Sequence, residues 1–376
     1  MSKLTINREK LLKKLKFIGG IQKEQDAKIL IRGFRDELFD GKQLEFISYQ
    51  NNFIAKNYFM NEEFFSYDEE FEFMLPVKKF IQLISLMNQE EIKISISPTK
   101  ILIESGKSKH SMNLSLEKFP EIHNEISFNE IISINSEKLK QQLEMTSLSM
   151  SKIESAQFQL RAFEMRITPD YLQFSSCDGR QASRARLHDG FELSNDEEIK
   201  ITFSFESLDK IKSFLMDKNS EIEISLSPSY IKFNSGKSEL FINQGFSNFP
   251  DVDKLFFDTP AMKVEIDNGE FSRLLRLVKI SEDALNQQIV FRMKDNRFFI
   301  ELRSSFGEGQ EFFTIDYPKE ERKFSLNDKS LIEYLMKFPE RKSSLKIFDD
   351  IRFPVNLLME MDNQDFELSL FPLRTD

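Results

Sequence analysis

The chain has 376 residues and a formal net charge of -10, with 40% hydrophobic residues, 39 Phe, no Trp and 12 Gly. That length allows two or three domains with full cores and few flexible linkers. A single cysteine excludes an internal disulfide, no apolar run reaches the roughly 18 residues of a membrane span, and no secretory leader opens at Met1, so a reducing cytoplasm is the expected compartment.

From the start, LTINREKLLKKLKFIGG predicts a short amphipathic helix: Leu11, Leu15 and Ile18 recur at helical spacing, Asn7 is a good N-cap, and Gly19-Gly20 is expected to stop the run. Alternating runs between Ile29 and Phe73 predict antiparallel strands. MLPVKKFIQLISLMNQ, residues 74 to 89, predicts a second helix with Pro76 in its first turn. Residues 91 to 122 then alternate at Ile92, Ile94 and Ile96, break at Ser97-Pro98 and turn at Gly106-Lys107-Ser108, which predicts a β-meander with one buried face.

This plan restarts twice. ISINSEKLKQQL at 132 to 143 lies over LTINREKLLKKL at 4 to 15, and residues 221 to 252 repeat residues 91 to 122 without a gap, sharing Ile92/Ile222, Pro98/Pro228, Gly106/Gly236 and Phe119/Phe249 among others. In the third round VEIDNGEFSRLLRLVKIS begins at Val264, with Ile266 matching Ile6 and Ile134, and LNDKSLIEYLMKF at 326 to 338 is the second helix. Three units follow, 1–127, 128–257 and 258–376, each α+β with two helices on antiparallel sheets. Head-to-tail repeats either close or propagate as a fibre, and closure into a ring is the expectation for a soluble protein.

Motifs of catalysis are weak. Gly106-Lys107-Ser108 and Gly236-Lys237-Ser238 end like P-loops, but Ile101 and Ile231 stand where the first glycine is needed, so hairpin turns are expected. Ser149-Met150-Ser151-Lys152 has S-x-x-K spacing without the accompanying motifs of penicillin-recognising enzymes. His110, His123, His188 and Cys177 have no zinc spacing, so neither metal nor cofactor is expected, and Cys177 reads as a packed residue before it reads as a nucleophile with His188 as base. Carboxylates are too numerous for any pair to stand out, which leaves an enzyme with a carboxylate site open.

The acidic balance argues against nucleic acid as a partner, because phosphate recognition draws on Lys and Arg. The predicted helices nevertheless carry a net +9 against -19 elsewhere, a basic helical layer that would suit a polyanion if it lined a ring. Lys10, Lys13, Lys14, Lys78, Arg273 and Arg276 are the DNA-facing candidates.

The three-unit plan, SGKSKHSM at 105 to 112, LQFSSCDGRQASR at 172 to 184, FPDV at 249 to 252 and LFPLR at 370 to 374 together resemble one family, the bacterial sliding clamp or β subunit of DNA polymerase III. The resemblance covers the whole chain. It implies a non-catalytic tether for processive DNA replication: a head-to-tail homodimer closed around duplex DNA, which it does not read by sequence. It also implies short linear peptides of the replicative polymerase, the clamp loader and repair proteins, docking in an apolar pocket between the second and third units. Carried over by motif, that pocket takes Leu160, Cys177, Gly179, Arg180, Gln181 and Ala182 from the second unit. Pro250, Lys254 and Leu255 come from the linker, and Ile351, Phe371, Pro372, Leu373 and Arg374 from the third unit. The dimer interface implied is His110 and Met112 against Lys279 and Ile280. The competing reading from the residues is a repeat-built scaffold that binds proteins without encircling DNA, supported by the net charge.

Overall fold

The structure is a computed structural model that describes residues 2–21, 27–36, 41–50, 52–59, 64–117, 119, 127–194, 197–215, 220–244, 248–283, 288–317, 320–350 and 352–373. One element order recurs three times. The first round is β1 (Ser2–Asn7), α1 (Arg8–Ile21), β2 (Lys28–Asp36), β3 (Gly41–Gln50), β4 (Phe53–Phe59), β5 (Phe65–Tyr67), β6 (Phe71–Pro76), α2 (Val77–Leu86), β7 (Glu91–Ile96), β8 (Lys100–Ser105) and β9 (Ser108–Asn113). The second is β10 (Asn129–Asn135), α3 (Ser136–Thr146), β11 (Ala162–Ile167), β12 (Leu172–Cys177), β13 (Gln181–Leu187), β14 (Phe191–Leu193), β15 (Ile199–Ser204), α4 (Phe205–Phe214), β16 (Glu221–Leu226), β17 (Tyr230–Asn234) and β18 (Ser238–Asn243). The third is β19 (Met262–Asp267), α5 (Asn268–Val278), β20 (Val290–Lys294), β21 (Arg297–Ser304), β22 (Gly307–Thr314), β23 (Arg322–Ser325), α6 (Asp328–Leu335), β24 (Lys342–Ile347), β25 (Val355–Met361) and β26 (Gln364–Leu370).

Each round supplies two half-sheets, and a half-sheet from one round joins one from the next. The nine-stranded sheet runs β14-β10-β16-β17-β18-β4-β3-β2-β6, so β18 of the second round pairs with β4 of the first. The eight-stranded sheet runs β15-β11-β12-β13-β26-β25-β24-β19, so β26 of the third pairs with β13 of the second. The remaining half-sheets stand alone as β5-β1-β7-β8-β9 and β22-β21-β20-β23. The chain accordingly divides into two compact units, Met1–Glu137 with Phe191–Asn195 and Glu206–Gln244, and Lys138–Gly190 with Asp196–Phe205 and Gly245–Asp376.

Local chemistry explains the elements. Ile6, Ile134 and Ile266, the matched residues of the three first strands, are all buried. Asn7 accepts the Lys10 amide at 3.2 Å and Asp267 the Glu270 amide at 2.9 Å, each capping the helix that follows. Gly106 and Gly236 turn their hairpins at φ of 60° and 75°, as the motif reading expects. In the second unit, phenylalanines fill the volume that a chain without Trp must find elsewhere; Phe298 stacks on Phe313 with ring centres 5.1 Å apart.

The helix ends differ from expectation. Gly19-Gly20 does not stop α1, which continues to Ile21. A Cβ on Gly19 would come within 2.5 Å of Ile81 Cδ1 on α2, so the glycine serves the close approach of two helices. Met74 and Leu75 belong to β6, and Pro76 is the N-cap of α2. α3, α5 and α6 end at Thr146, Val278 and Leu335, short of the basic residues Lys152, Lys279 and Lys337. Recounted over the observed spans, α1 carries +4 and α2 +2, while α3 to α6 cancel. The basic layer inferred from sequence thus shrinks to the first helix pair.

Candidate partner pocket, helix faces and free edges

The β12–β13 hairpin lies at an apolar cluster in the second unit, the place expected for the peptide pocket. Asp178 Oδ1 accepts the amides of Arg180 at 2.8 Å and Gln181 at 3.0 Å, and Gly179 adopts a φ of 88°, the left-handed conformation the turn requires. A Cβ on Gly179 would sit 3.9 Å from Leu160 Cδ1, so the turn lies beside the 3-10 segment Phe158–Arg161. The Phe371 amide donates to the Arg180 carbonyl at 3.1 Å and the Leu373 amide to the Ser325 carbonyl at 2.8 Å, which lays the end of the chain along the same turn. Buried Cys177, Ala182, Val252 and Phe256 form the cluster, and half-buried Leu160, Phe249 and Leu255 pack against it.

Most residues of the expected pocket therefore converge. Leu160, Cys177, Ala182 and Leu255 share this cluster, exposed Gly179 turns beside Leu160, and Phe371, Pro372 and Leu373 are half-buried. Arg180, Pro250 and Lys254 are exposed, Lys254 at 80% and paired with Asp251 at 3.2 Å. Gln181 is a brace, buried, with its amide donating to the Leu148 carbonyl at 3.0 Å and accepting from Asn327 at 3.2 Å. Ile351 and Arg374 lie outside the described residues. Sequence reasoning missed Phe249, Val252 and Phe256; the signal was the apolar spacing within FPDVDKLFF, which crosses the sheet instead of merely linking units.

The catalytic alternatives separate in space. Cys177 pairs with Ala182 at one end of the hairpin and Leu172 with Leu187 at the other, beyond which His188 Nε2 meets Asp365 Oδ2 at 2.7 Å. Burial, then the neighbouring Asp178 charge, push the Cys177 thiol up to about 11, which keeps it protonated and unreactive at neutral pH. Ser149 is buried and Lys152 exposed, so the S-x-x-K spacing builds no common site.

The DNA-facing candidates differ by helix. On α1, Lys10 and Lys14 lie over the rings of Phe64 and Phe59 at 4.8 and 5.3 Å, and Lys13 is exposed. Lys78 on α2 is half-buried. On α5 both arginines have partners: Arg273 Nη2 donates to Glu270 Oε1 at 2.6 Å, and Arg276 Nε donates to the Ser272 carbonyl at 3.3 Å.

Among the strands that end sheets in the described residues are β9, the third meander strand of the first round, and β22, the fourth strand of the third. β9 is exposed except for half-buried Met112, and carries Lys109 and His110; β22 carries Glu308 and Glu311. Beside β22, a Cβ on Gly309 would meet the Val278 carbonyl at 2.9 Å, so this strand runs against the end of α5, where Ile280 is 78% exposed. Lys279 faces inward, bonded to Asp328 and, at 3.2 Å, to Glu282, and desolvation is outweighed by these carboxylates, which raise its pKa. Phe306, 80% exposed just before β22, was not anticipated from sequence.

No protein-family model matches the chain. Its sequence is 21% identical over 322 residues to the beta sliding clamp of Staphylococcus epidermidis, covering 84% of this chain and 83% of that one, and 22% identical to that of Staphylococcus aureus over the same span. The crystal structure of the DNA polymerase III subunit beta from Pseudomonas aeruginosa superposes with a TM-score of 0.85 at 17% identity, covering 99% of this chain and 100% of that one. The chain has the fold of the bacterial sliding clamp. The subunit from Streptococcus pneumoniae gives the same TM-score at 18% identity over the full length of both chains, as does a Pseudomonas aeruginosa clamp bound to griselimycin at 17%. The clamp fold accounts for the element order repeated three times.

Proposed function

We propose that the chain is a DNA sliding clamp, a non-catalytic processivity factor whose homodimer closes around duplex DNA and tethers a replicative polymerase. The observation that carries this reading is the match to clamp structures over the whole length, joined to the pairing rule of the sheets. Each joint within the chain pairs the third meander strand of one round with the fourth strand of the round before, β18 with β4 and β26 with β13. By the same rule β9 of one subunit pairs with β22 of the next, and two such joints close a head-to-tail dimer of three-domain subunits, 1–127, 128–257 and 258–376. Lys109 and His110 opposite Glu308 and Glu311, with Met112 and Ile280 nearby, give that joint complementary charge and an apolar centre. These features support the clamp over a scaffold that does not encircle DNA.

Within that reading, α1 and α2 supply the phosphate contacts, and the cleft between β13, Val252–Leu255 and Phe371–Leu373 accepts short peptides of the polymerase, the clamp loader and repair proteins. Arg180 and Lys254 at its rim favour acidic residues in such peptides. Light scattering should give twice 44.3 kDa, and Ile280→Asp should shift it to the monomer. Clamp loaded on nicked circular duplex should stay bound and leave once the circle is cut. Equal loss from circle and linear duplex would overturn the topological link.

A further inference from the structure

Asp253 occupies an unusual position for a carboxylate in a linker. Its 3-10 segment, Val252–Leu255, crosses the face of the eight-stranded sheet away from any other acidic side chain of its own segment except Asp251. Oδ1 accepts from Arg184 Nη1 at 2.8 Å, Gln173 Nε2 at 3.3 Å and Arg186 Nη2 at 3.5 Å, while Oδ2 accepts from Arg166 Nη1 at 3.0 Å. The donors come from three adjacent strands, β11, β12 and β13. Two further bonds fix the end of the turn: the Leu255 carbonyl accepts from Asn356 Nδ2 at 3.2 Å and Ser369 Oγ at 3.3 Å. The Arg184 guanidinium, 4.3 Å from the Phe256 ring centre, links the ionic cluster to the apolar one.

We infer that Asp253 is the positioning residue of the peptide cleft: its charge, docked on Arg166, Arg184 and Arg186, holds Val252, Leu255 and Phe256 in place as one wall. Resting as it does on the reading of the cleft as a peptide site, this assigns to the linker a task that exposed Lys254 and Asp251 do not share. Charged hydrogen bonds of this kind are the strong ones, and here they add to the burial of Val252 and Phe256 in holding the turn. Each arginine has a second partner, Glu198 just before β15 at 2.8 Å for Arg166, Glu367 for Arg184 and Gln173 Oε1 at 2.7 Å for Arg186. Loss of Asp253 therefore frees the turn without leaving a guanidinium bare.

The test compares wild type, Asp253→Ala and the isosteric Asp253→Asn by hydrogen exchange and by griselimycin binding. Amides of residues 252 to 256 should exchange at least about tenfold faster in both variants, with those of 172 to 187 unchanged. Griselimycin affinity should fall by about tenfold in Asp253→Ala with the thermal midpoint nearly unchanged. Unaltered exchange overturns the inference, and so does wild-type exchange in Asp253→Asn alone, since packing and not charge would then hold the turn. Faster exchange with unaltered affinity overturns the positioning role. Wild type that does not bind griselimycin counts against the peptide reading of the cleft, and exchange still decides whether the charge holds the turn.

Discussion

The two joints within the chain have the same topology and opposite chemistry. In each, a basic residue stands directly across from an acid, Lys56 opposite Glu239 in one and Arg184 opposite Glu367 in the other. Two residues before the base, the first joint places Ile54, opposite Phe241 on one side and Tyr49 on the other; the second places Ala182, opposite Ser369 and Cys177. Large side chains seal the first joint: Ile54 and Phe241 cluster with Leu30, Ile47 and Met74, and Phe119 from the following linker packs over them. Small ones occupy the second, where the linker bonds the arginines through Asp253 and half-buried Leu160 and Leu255 pack on the cluster. At three matched positions the second joint carries smaller side chains, Ala182, Ser369 and Cys177 against Ile54, Phe241 and Tyr49.

That comparison can be broken most sharply by truncation. Phe241→Ala should destabilise the first unit by about 3 to 5 kcal/mol, the cost of a cavity in a sealed cluster, whereas Ser369→Ala in the second should cost under about 1.5 kcal/mol; chemical denaturation followed separately for each unit would measure both. Comparable losses would show that the second joint is packed as tightly as the first. Ligand binding should respond in the reverse order. Leu255→Ala should weaken a clamp-binding peptide by about 2 kcal/mol, and deleting residues 371–376 by at least about tenfold, some 1.4 kcal/mol, with the dimer mass unchanged; calorimetric titration reads both. Unfolding of the second unit on that deletion would make the end of the chain a structural strand.

Acid sharpens the difference further. Burial works to raise the Asp253 pKa, but the hydrogen bond and charge of Arg184, with Arg186 and Gln173, outweigh it and hold it below the ordinary 3.8. A depressed folded pKa means stability that is fully present above 3.8 and lost as pH falls through the lower folded value. Exchange at 252 to 256 should therefore rise below about pH 4 in wild type and be flat with pH in Asp253→Asn, after correction for intrinsic rates. The smallest effect concerns DNA. Lys10→Glu with Lys13→Glu should reduce low-salt duplex binding more than Arg273→Glu with Arg276→Glu, since Glu270 already neutralises Arg273; each lost phosphate contact should lower the salt slope by about 0.9. Equal effects would return the basic character to all the helices.

Local spacing determined a good deal by itself. The three-fold order, the Asn7 cap, the hairpin glycines at 106 and 236 and the buried Ile6, Ile134 and Ile266 follow from periodicity and turn chemistry, which act over a few residues. Motif matching also named Leu160, Cys177 and Leu255, which share one cluster although they are far apart in the chain. What the spacing could not supply was anything that depends on a neighbour from another round. Gly19-Gly20 read as a stop because the nearness of Ile81 is invisible along the chain, and the helical charge was overcounted because Lys152, Lys279 and Lys337 lie past the last turns. Asp253 meets its partners only where β11, β12 and β13 set polar side chains on one face under the linker, and Gln181, on the opposite face of β13, meets Leu148 and Asn327. Which sheet edges pair, and whether large or small side chains meet at a joint, is decided by cross-strand partners, and those are chosen when the sheets assemble and not before.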